Sequence, residues 1–299
     1  MKRIGIIGLG NMGIGMAENI IEAGFPLSGF DLREERKKML SELGGIPVSS
    51  VSAVGENSDC VLVMVMNGVQ VQSIVLGEGG LLETMRPGSC IIVTATINPS
   101  EIRVLVEPTE AKGIELIDSP VSGGKGGADS GTLTMMAATK PKVLDEHRGV
   151  LEAVGKSIFH VGESIGQGQV VKASLQALIG ASFTAIFESL VLGTKAGADP
   201  EILYEVFCSS GIGSGILKNC GALILDRKFE DTGSHIGTMH KDLGISMAMA
   251  RESGCAMFTA STAYELFQTG MSLYPEGDNW SIVKFLEQIA GTEVKRSGS

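Results

Sequence analysis

The apolar positions of the chain fall into two regimes. Up to about residue 162, short apolar runs alternate with stretches in which apolar residues recur every three or four positions. The runs lie at 3–8, 27–31, 60–66, 90–94, 115–118, 132–138 and 158–161. Several are apolar almost throughout, such as V-L-V-M-V-M at 61–66. Strands buried on both faces of a parallel sheet read this way. The stretches at 33–43, 99–112 and 141–154 fit crossover helices, and the last two open on a proline near the first helical position. The runs at 132–138 and 158–161 are expected to extend the sheet with an antiparallel piece. After about residue 165 the strand pattern stops. A long helical pattern over 166–196 is followed by helical segments at 200–208, 215–225, 240–253, 257–269 and 280–290. The pattern predicts an α/β domain over 1–164 and an all-α domain over 165–299 that opens with a long interdomain helix.

The first run sharpens the α/β reading. It leads into Gly8-x-Gly10-x-x-Gly13, then a helical pattern to Gly24, then a second run ending at Asp31. In a Rossmann-type dinucleotide fold each of these glycines has a task. Gly8 permits the strand-to-helix turn, Gly10 lets backbone approach a pyrophosphate, and Gly13 lets helix and strand pack closely. The phosphates would meet the unpaired N–H groups at the helix start, and Asp31 would accept hydrogen bonds from a ribose. A lone motif of this kind is weak evidence. Glycine-rich stretches at 122–127 and 211–215 lack the strand-before, helix-after setting, and a glycine-rich turn in another α/β protein is the alternative. Ligands of open α/β sheets bind outside the carboxyl ends of the strands, so the cleft is expected between that edge and the helical domain.

Charge and composition narrow the partners. The chain has 299 residues, 43% of them apolar, and a net charge of 24 − 34 = −10 with no basic tract. That argues against a nucleic-acid partner, which needs clustered Lys and Arg. Cys60, Cys90, Cys208, Cys220 and Cys255 lie far apart with no C-x-x-C, as buried free thiols of a reducing compartment would. The N-terminus enters a strand directly, without a signal-peptide pattern. The longest uncharged helical stretch, 173–187, is 15 residues, short of the roughly 20 a membrane span needs. A cytoplasmic protein without a membrane partner is expected. The four histidines show no metal-ligand spacing, so no metal site is predicted.

Four clusters could carry chemistry. Asp118-Ser-Pro-Val-Ser122-Gly-Gly-Lys-Gly-Gly127 follows a strand, and its backbone N–H groups with the Ser122 hydroxyl could cradle an anion; a flexible loop is the alternative. Lys172 and Gln176 lie four apart on one face of an otherwise apolar helix. Partial burial would lower the lysine pKa from about 10.4 toward the range of an acid/base, whereas a snorkelling lysine would do nothing. Thr94 and Thr96 follow a strand and could touch a ligand or cap the helix near Pro99. His240-Lys241-Asp242 reads locally as a solvated helix start.

Taken in order, G-L-G-N-M-G (8–13), D-S-P-V-S-G-G (118–124), G-T-L-T (131–134), G-Q-G-Q-V-V-K (166–172) and K-D-L (241–243) resemble the 3-hydroxyacid dehydrogenases. That family includes 3-hydroxyisobutyrate dehydrogenase, tartronate semialdehyde reductase and threonate dehydrogenase. The resemblance spans about 1–290. It implies an NAD(P)-dependent oxidoreductase in which Lys172 is the catalytic acid/base. Ser122, Gly123 and Gly124 would hold the substrate carboxylate. Gly8, Leu9, Gly10, Asn11, Met12, Gly13, Asp31, Arg33, Met66, Asn67, Thr96 and Lys241 would contact the cofactor. Family members often carry Asn four residues after the lysine, where Gln176 stands here. A glutamine makes the same kinds of hydrogen bond with longer reach, and it would orient the substrate's reacting oxygen. This region is similar to the threonate dehydrogenase branch, which implies a four-carbon polyhydroxylated acid. Asp31 favours NAD, because a carboxylate repels a 2′-phosphate, while Arg33 leaves NADP open. A homodimer or homotetramer is expected. Two rivals remain. A non-catalytic dinucleotide-binding module would not need Lys172, Ser122 and Gln176 together, and imine-reducing relatives usually replace the lysine.

Overall fold

The computed structural model describes residues 2–297. Among the described residues, nine strands form one sheet: β1 (Ile4–Ile7), β2 (Leu27–Phe30), β3 (Ile46–Pro47), β4 (Cys60–Val63), β5 (Cys90–Val93), β6 (Glu115–Asp118), β7 (Val121–Ser122), β8 (Leu133–Ala138) and β9 (Gly155–Gly162). The order is β3-β2-β1-β4-β5-β6-β8-β7, with β9 paired to β8. All pairs from β3 through β6 are parallel. β8 runs antiparallel to β6, and β9 runs parallel to β8, so both extend the sheet in the reverse sense, as expected. The strands β3 and β7, two residues each, were not legible in the apolar pattern.

The continuous apolar runs follow from burial on both faces. Ile4, Ile6, Leu62, Cys60, Cys90 and Ile92 join one core. Their alternates Ile7, Val61, Val63, Ile91 and Val93 join another on the opposite face. Burial of each such side chain contributes about 1.5–3 kcal/mol, so the sheet centre is the most strongly fixed part. The β4 run is shorter than its apolar stretch predicts: the strand ends at Val63, and Met66 is exposed. The predicted 99–112 helix is two, Pro99–Arg103 and Val106–Ala111.

Two compact units divide the chain, Met1–Lys172 and Ala173–Ser299. The division falls within the helix Gln167–Lys195. The second unit is helical, and its core gathers Phe183, Phe187, Leu190, Phe267 and Trp280. Trp280 Nε1 donates to the Lys228 carbonyl at 2.6 Å, so the largest buried ring leaves no orphan donor.

The helix Gln167–Lys195 corrects one expectation. It has 29 residues and an 18-residue window of mean hydropathy 1.6, long and apolar enough to cross a membrane by length and composition. The shorter count stopped at the first charge, Glu188, which does not interrupt the helix. Within that window 44% of the helix is buried in protein, and a core helix of a globular unit has the same composition.

Candidate active site

In the first unit, strand β1 leads through Gly8 into the helix Asn11–Glu22, whose N-cap is Gly10. Gly8 has φ +92°, and a Cβ there would lie 2.1 Å from the Met64 carbonyl oxygen. A Cβ on Gly13 would lie 1.9 Å from the Gly8 carbonyl oxygen. Both glycines are therefore demanded by packing. Gly10 is different: the nearest atom to its hypothetical Cβ is Arg33 Nη2, at 3.9 Å. No protein atom excludes a side chain there. The space suits a group that approaches the backbone from outside, and the helix start has no side-chain cap and no acid in its first turn. An uncapped, open helix N-terminus attracts anions, so these residues fit a dinucleotide pyrophosphate.

Asp31 does not stand free at the end of β2. Its carboxylate accepts from Leu9 N at 2.8 Å, Arg33 N at 3.0 Å and Arg33 Nε at 3.1 Å. Partial burial pushes its carboxyl up, but the bonds from Arg33 and Leu9 outweigh that and hold it below the ordinary value. Arg36 donates to Asn11 Oδ1 at 3.1 Å. Two guanidinium groups thus flank the glycine loop. Asn67 caps the helix Gly68–Leu76, accepting from Gln70 N at 2.9 Å. Met66 is exposed beside it.

The centre of this unit is a buried polar node at the ends of β5 and β6. Asp118, fully buried, accepts from Gly166 N at 2.8 Å, Gln169 N at 3.3 Å and Gln169 Nε2 at 2.9 Å. Gln169, also fully buried, donates to the Ala95 carbonyl at 3.0 Å and accepts from Ile97 N at 3.0 Å. Burial pushes the Asp118 carboxyl up to about 6, against the hydrogen bonds that lower it. A Cβ on Gly168 would lie 2.5 Å from the Met136 carbonyl oxygen, so glycine lets the helix start sit directly on strand backbone. One turn on, Lys172 is 6% exposed. The node fixes three things at once: the 94–97 segment, the Asp118 turn, and the helix that carries Lys172. Thr96 lies in the fixed segment. Thr94 is buried and donates to the Val63 carbonyl at 3.1 Å. Neither threonine caps the next helix; Asn98 does, in a capping box with Glu101.

The segment after β7 is not the flexible loop that was its alternative. Gly123 and Gly124 take φ +136° and +60°, and Gly124–Asp129 is a short helix. Its first-turn N–H groups have no intrahelical acceptor. No protein atom lies within 4 Å of a Cβ built on Gly124. Asn19 Nδ2, from the helix after the glycine loop, donates to the Ala128 carbonyl at 2.8 Å, tying the two glycine-rich segments together.

In the second unit, Gln176 is 6% exposed and donates through Nε2 to Asp242 Oδ2. The helix holding Lys241 and Asp242 begins at Ile236 with His235 as N-cap. The expectation of a solvated helix start at 240 is therefore overturned. Asp242 is 3% exposed, with Lys241 Nζ 2.9 Å from its Oδ1. His240 stacks on Tyr264 at 4.8 Å between ring centroids.

Asp118 and Asp242 lie in two of the candidate clusters but had no role of their own there, and Gln169 was not among the candidates. Gln169 carried a signal, a glutamine one turn before Lys172 in an apolar helix. The five cysteines are free, but only Cys60, Cys90 and Cys220 are buried; Cys208 is half-buried and Cys255 exposed. Among the described residues, Cys60, Cys90 and His147 bring potential metal-ligand atoms within 4.8 Å of one another, all buried. No spacing in the sequence brings them together; the register of β4 and β5 pairs the two cysteines, and the helix Pro141–Val154 carries His147.

Residues 3–162 match the NAD binding domain of 6-phosphogluconate dehydrogenase. Residues 166–286 match the NAD-binding domain of NADP-dependent 3-hydroxyisobutyrate dehydrogenase. An L-threonate dehydrogenase of Cupriavidus necator is 32% identical over 94% of this chain and 95% of its own. A 3-hydroxyisobutyrate dehydrogenase of Pseudomonas aeruginosa is 34% identical over 93% and 94%. The crystal structure of a 3-hydroxyisobutyrate dehydrogenase from Salmonella typhimurium superposes with a TM-score of 0.87 at 26% identity, covering 95% of this chain and 100% of its own. With an open glycine cradle for a dinucleotide in its first unit and this likeness along both halves, the chain belongs to the 3-hydroxyacid dehydrogenase family and is an NAD(P)-dependent oxidoreductase acting on the CH–OH group of a small hydroxy acid.

Proposed function

We propose that Lys172 is the general acid/base of this dehydrogenase and that Ser122, with the Gly123 and Gly124 amides, holds the substrate carboxylate. Bound NAD(P) supplies the hydride acceptor or donor. In oxidation Lys172 takes the hydroxyl proton; in reduction it returns that proton to the developing alkoxide. The Ser122 hydroxyl and the first-turn amides hold the carboxylate through donors that need no rearrangement. The single observation that carries the reading is the placement of Lys172. It is almost fully buried, one turn beyond a node that spends two buried polar side chains on fixing its helix. A lysine kept only for solubility needs no such support.

The cofactor contacts assigned to the 8–13 segment are supported by the open Gly10 cradle. Those assigned to Met66, Asn67, Thr96 and Lys241 rest on the motifs alone. For the cofactor, NAD is favoured by the Asp31 carboxylate. For the substrate, Gln176 favours a four-carbon polyhydroxylated acid over 3-hydroxyisobutyrate. The protein is read as a cytoplasmic homo-oligomer: Leu178 and Leu192 are 65% and 71% exposed on one helix, four turns apart, an apolar face that a second copy would cover.

The test follows nicotinamide absorbance with NAD and NADP against threonate, glycerate, 3-hydroxyisobutyrate and 4-hydroxybutyrate. Lys172→Ala is expected to lose about 10²–10⁴-fold in turnover while NADH still binds, read by its fluorescence. Wild-type turnover that survives in the variant would refute the assignment of Lys172.

A further inference from the structure

We propose that Asp242 is a positioning residue that locks the Gln176 amide in one orientation and so makes the enzyme select acids with a second, non-reacting hydroxyl. The proposal rests on the reading of Gln176 as a substrate-facing residue.

A glutamine amide has two unlike ends, a carbonyl oxygen that only accepts and an NH2 that only donates. In solution they exchange by rotation about the last side-chain bond. Here Asp242 removes that freedom. Its carboxylate oxygen Oδ2 accepts from Gln176 Nε2, and a carboxylate can face only the donating end. Both side chains are nearly buried, at 3% and 6% exposure, so bulk water does not stand in for either partner. Lys241 Nζ, 2.9 Å from Oδ1, balances the charge.

The two helices are held together around this pair. Ser246 Oγ, one turn beyond Asp242, donates to the Ala173 carbonyl at 2.7 Å. A Cβ on Gly180 would lie 2.7 Å from Leu243 Cδ2. The close packing prevents either helix from shifting to release the amide.

With Nε2 engaged, Gln176 offers its other end, Oε1, as an acceptor. That decides which substrate oxygen it suits. The reacting oxygen begins as a hydroxyl and ends as a carbonyl. On losing its proton it becomes an acceptor only, and a fixed acceptor beside it would oppose the reaction. A neighbouring hydroxyl that does not react remains a donor on both sides of the reaction. The locked amide therefore matches a second hydroxyl, as found in 2,3-dihydroxy acids. The substrate class is an acid with adjacent hydroxyls. Within that class Gln176 reads the hydroxyl that stays, not the one that is oxidised.

The experiment compares kcat/KM for glycerate and threonate with that for 3-hydroxypropionate and 3-hydroxyisobutyrate, which lack the second hydroxyl. A site built around a hydroxyl discriminates strongly against analogues without it, so wild type should prefer the dihydroxy acids by at least about 100-fold. Asp242→Asn lets the amide turn either end outward and should reduce that preference to within about tenfold. Gln176→Met, an apolar isostere, should do the same. The double variant Gln176→Asn/Asp242→Glu moves one methylene from one partner to the other and should restore the preference. Each variant's NADH affinity and thermal midpoint are measured alongside. A preference that persists in folded Asp242→Asn overturns the proposal, as does a wild type that turns over both acid types equally. If Asp242→Asn fails to fold, Gln176→Met and the wild-type ratio still decide. Absence of wild-type turnover on every acid overturns the substrate reading and this inference with it. Turnover without preference overturns this inference alone.

Discussion

Replacing Gln169 with methionine tests whether the buried node holds the first unit together. The change keeps length and volume and removes only the amide. Three groups then lose a partner: Ile97 N–H, the Ala95 carbonyl and Asp118 Oδ1. A buried polar group left unsatisfied costs about 1–3 kcal/mol, more if charged. The variant should therefore lose about 4 kcal/mol or more at pH 7. For a unit of this size that lowers the melting temperature by about 8–16 °C.

The loss must also depend on pH, and its sign is fixed. Burial holds the wild-type Asp118 carboxyl at about 6, above its ordinary 3.8. The folded state thus binds this proton more tightly than the unfolded chain, and stability from this group falls as pH rises from about 4 to about 6. The wild-type effect amounts to about 3 kcal/mol. The Gln169 side-chain hydrogen bond is one of the causes that lowers the Asp118 pKa. Without it the pKa rises further, and the variant goes on losing stability above pH 6, where the wild-type contribution is flat. The gap between variant and wild type should widen from pH 5.5 to pH 8. Urea unfolding followed by circular dichroism at both pH values measures it, and amide exchange at Ile97 reports the local opening. A gap under about 1 kcal/mol at pH 7, or one that does not change with pH, would refute the reasoning.

Further outcomes follow from the same geometry. Gly10→Ala should leave thermal stability nearly unchanged and weaken NADH binding at least about tenfold, because the Cβ meets only Arg33 Nη2, at an ordinary 3.9 Å, and projects into the cradle. Gly13→Ala should instead destabilise by about 1–3 kcal/mol or more, because its Cβ meets the Gly8 carbonyl; thermal unfolding and NADH fluorescence separate the two. Arg33→Ala should raise the Michaelis constant for NADP more than for NAD, and equal changes would exclude Arg33 as a phosphate contact. The hydrogen bond from Arg3 holds the Asp59 carboxyl down at about 2. That contribution is present above pH 4 and is lost as pH falls toward 2. Arg3→Met should make acid unfolding shallower in that range, as read by circular dichroism.

Much of this was legible because local and long-range demands coincide. The runs at β4 and β5 are apolar at every position because alternate residues enter different cores, and no surface face interrupts the signal. The first glycine motif was readable because Gly13 is required by a backbone contact within one strand–helix unit, while Gly8, by its left-handed φ, meets the segment just past β4. The strands β3 and β7 escaped because two residues carry no period. The helix start at Ile236 escaped because its cap is His235, a weak start signal beside Ser, Thr, Asp or Asn. Starting the helix at 240 made Asp242 look solvated, when the added turn carries it to a buried position.

The polar residues of the node show a deeper limit. Asp118 stood in a quoted motif and Gln169 in another, yet nothing in either segment says that they meet. Their contact depends on the end of β6, on the 94–97 segment after β5, and on a glycine at 168 small enough to let helix touch strand. Each is a local feature with an ordinary local explanation. Only together do they place a buried carboxylate against three donors and fix the helix one turn before Lys172. A candidate acid/base lysine can be picked out from its motif. What makes it rigid is written in residues 48 to 74 positions away from their partners, and periodicity cannot connect them.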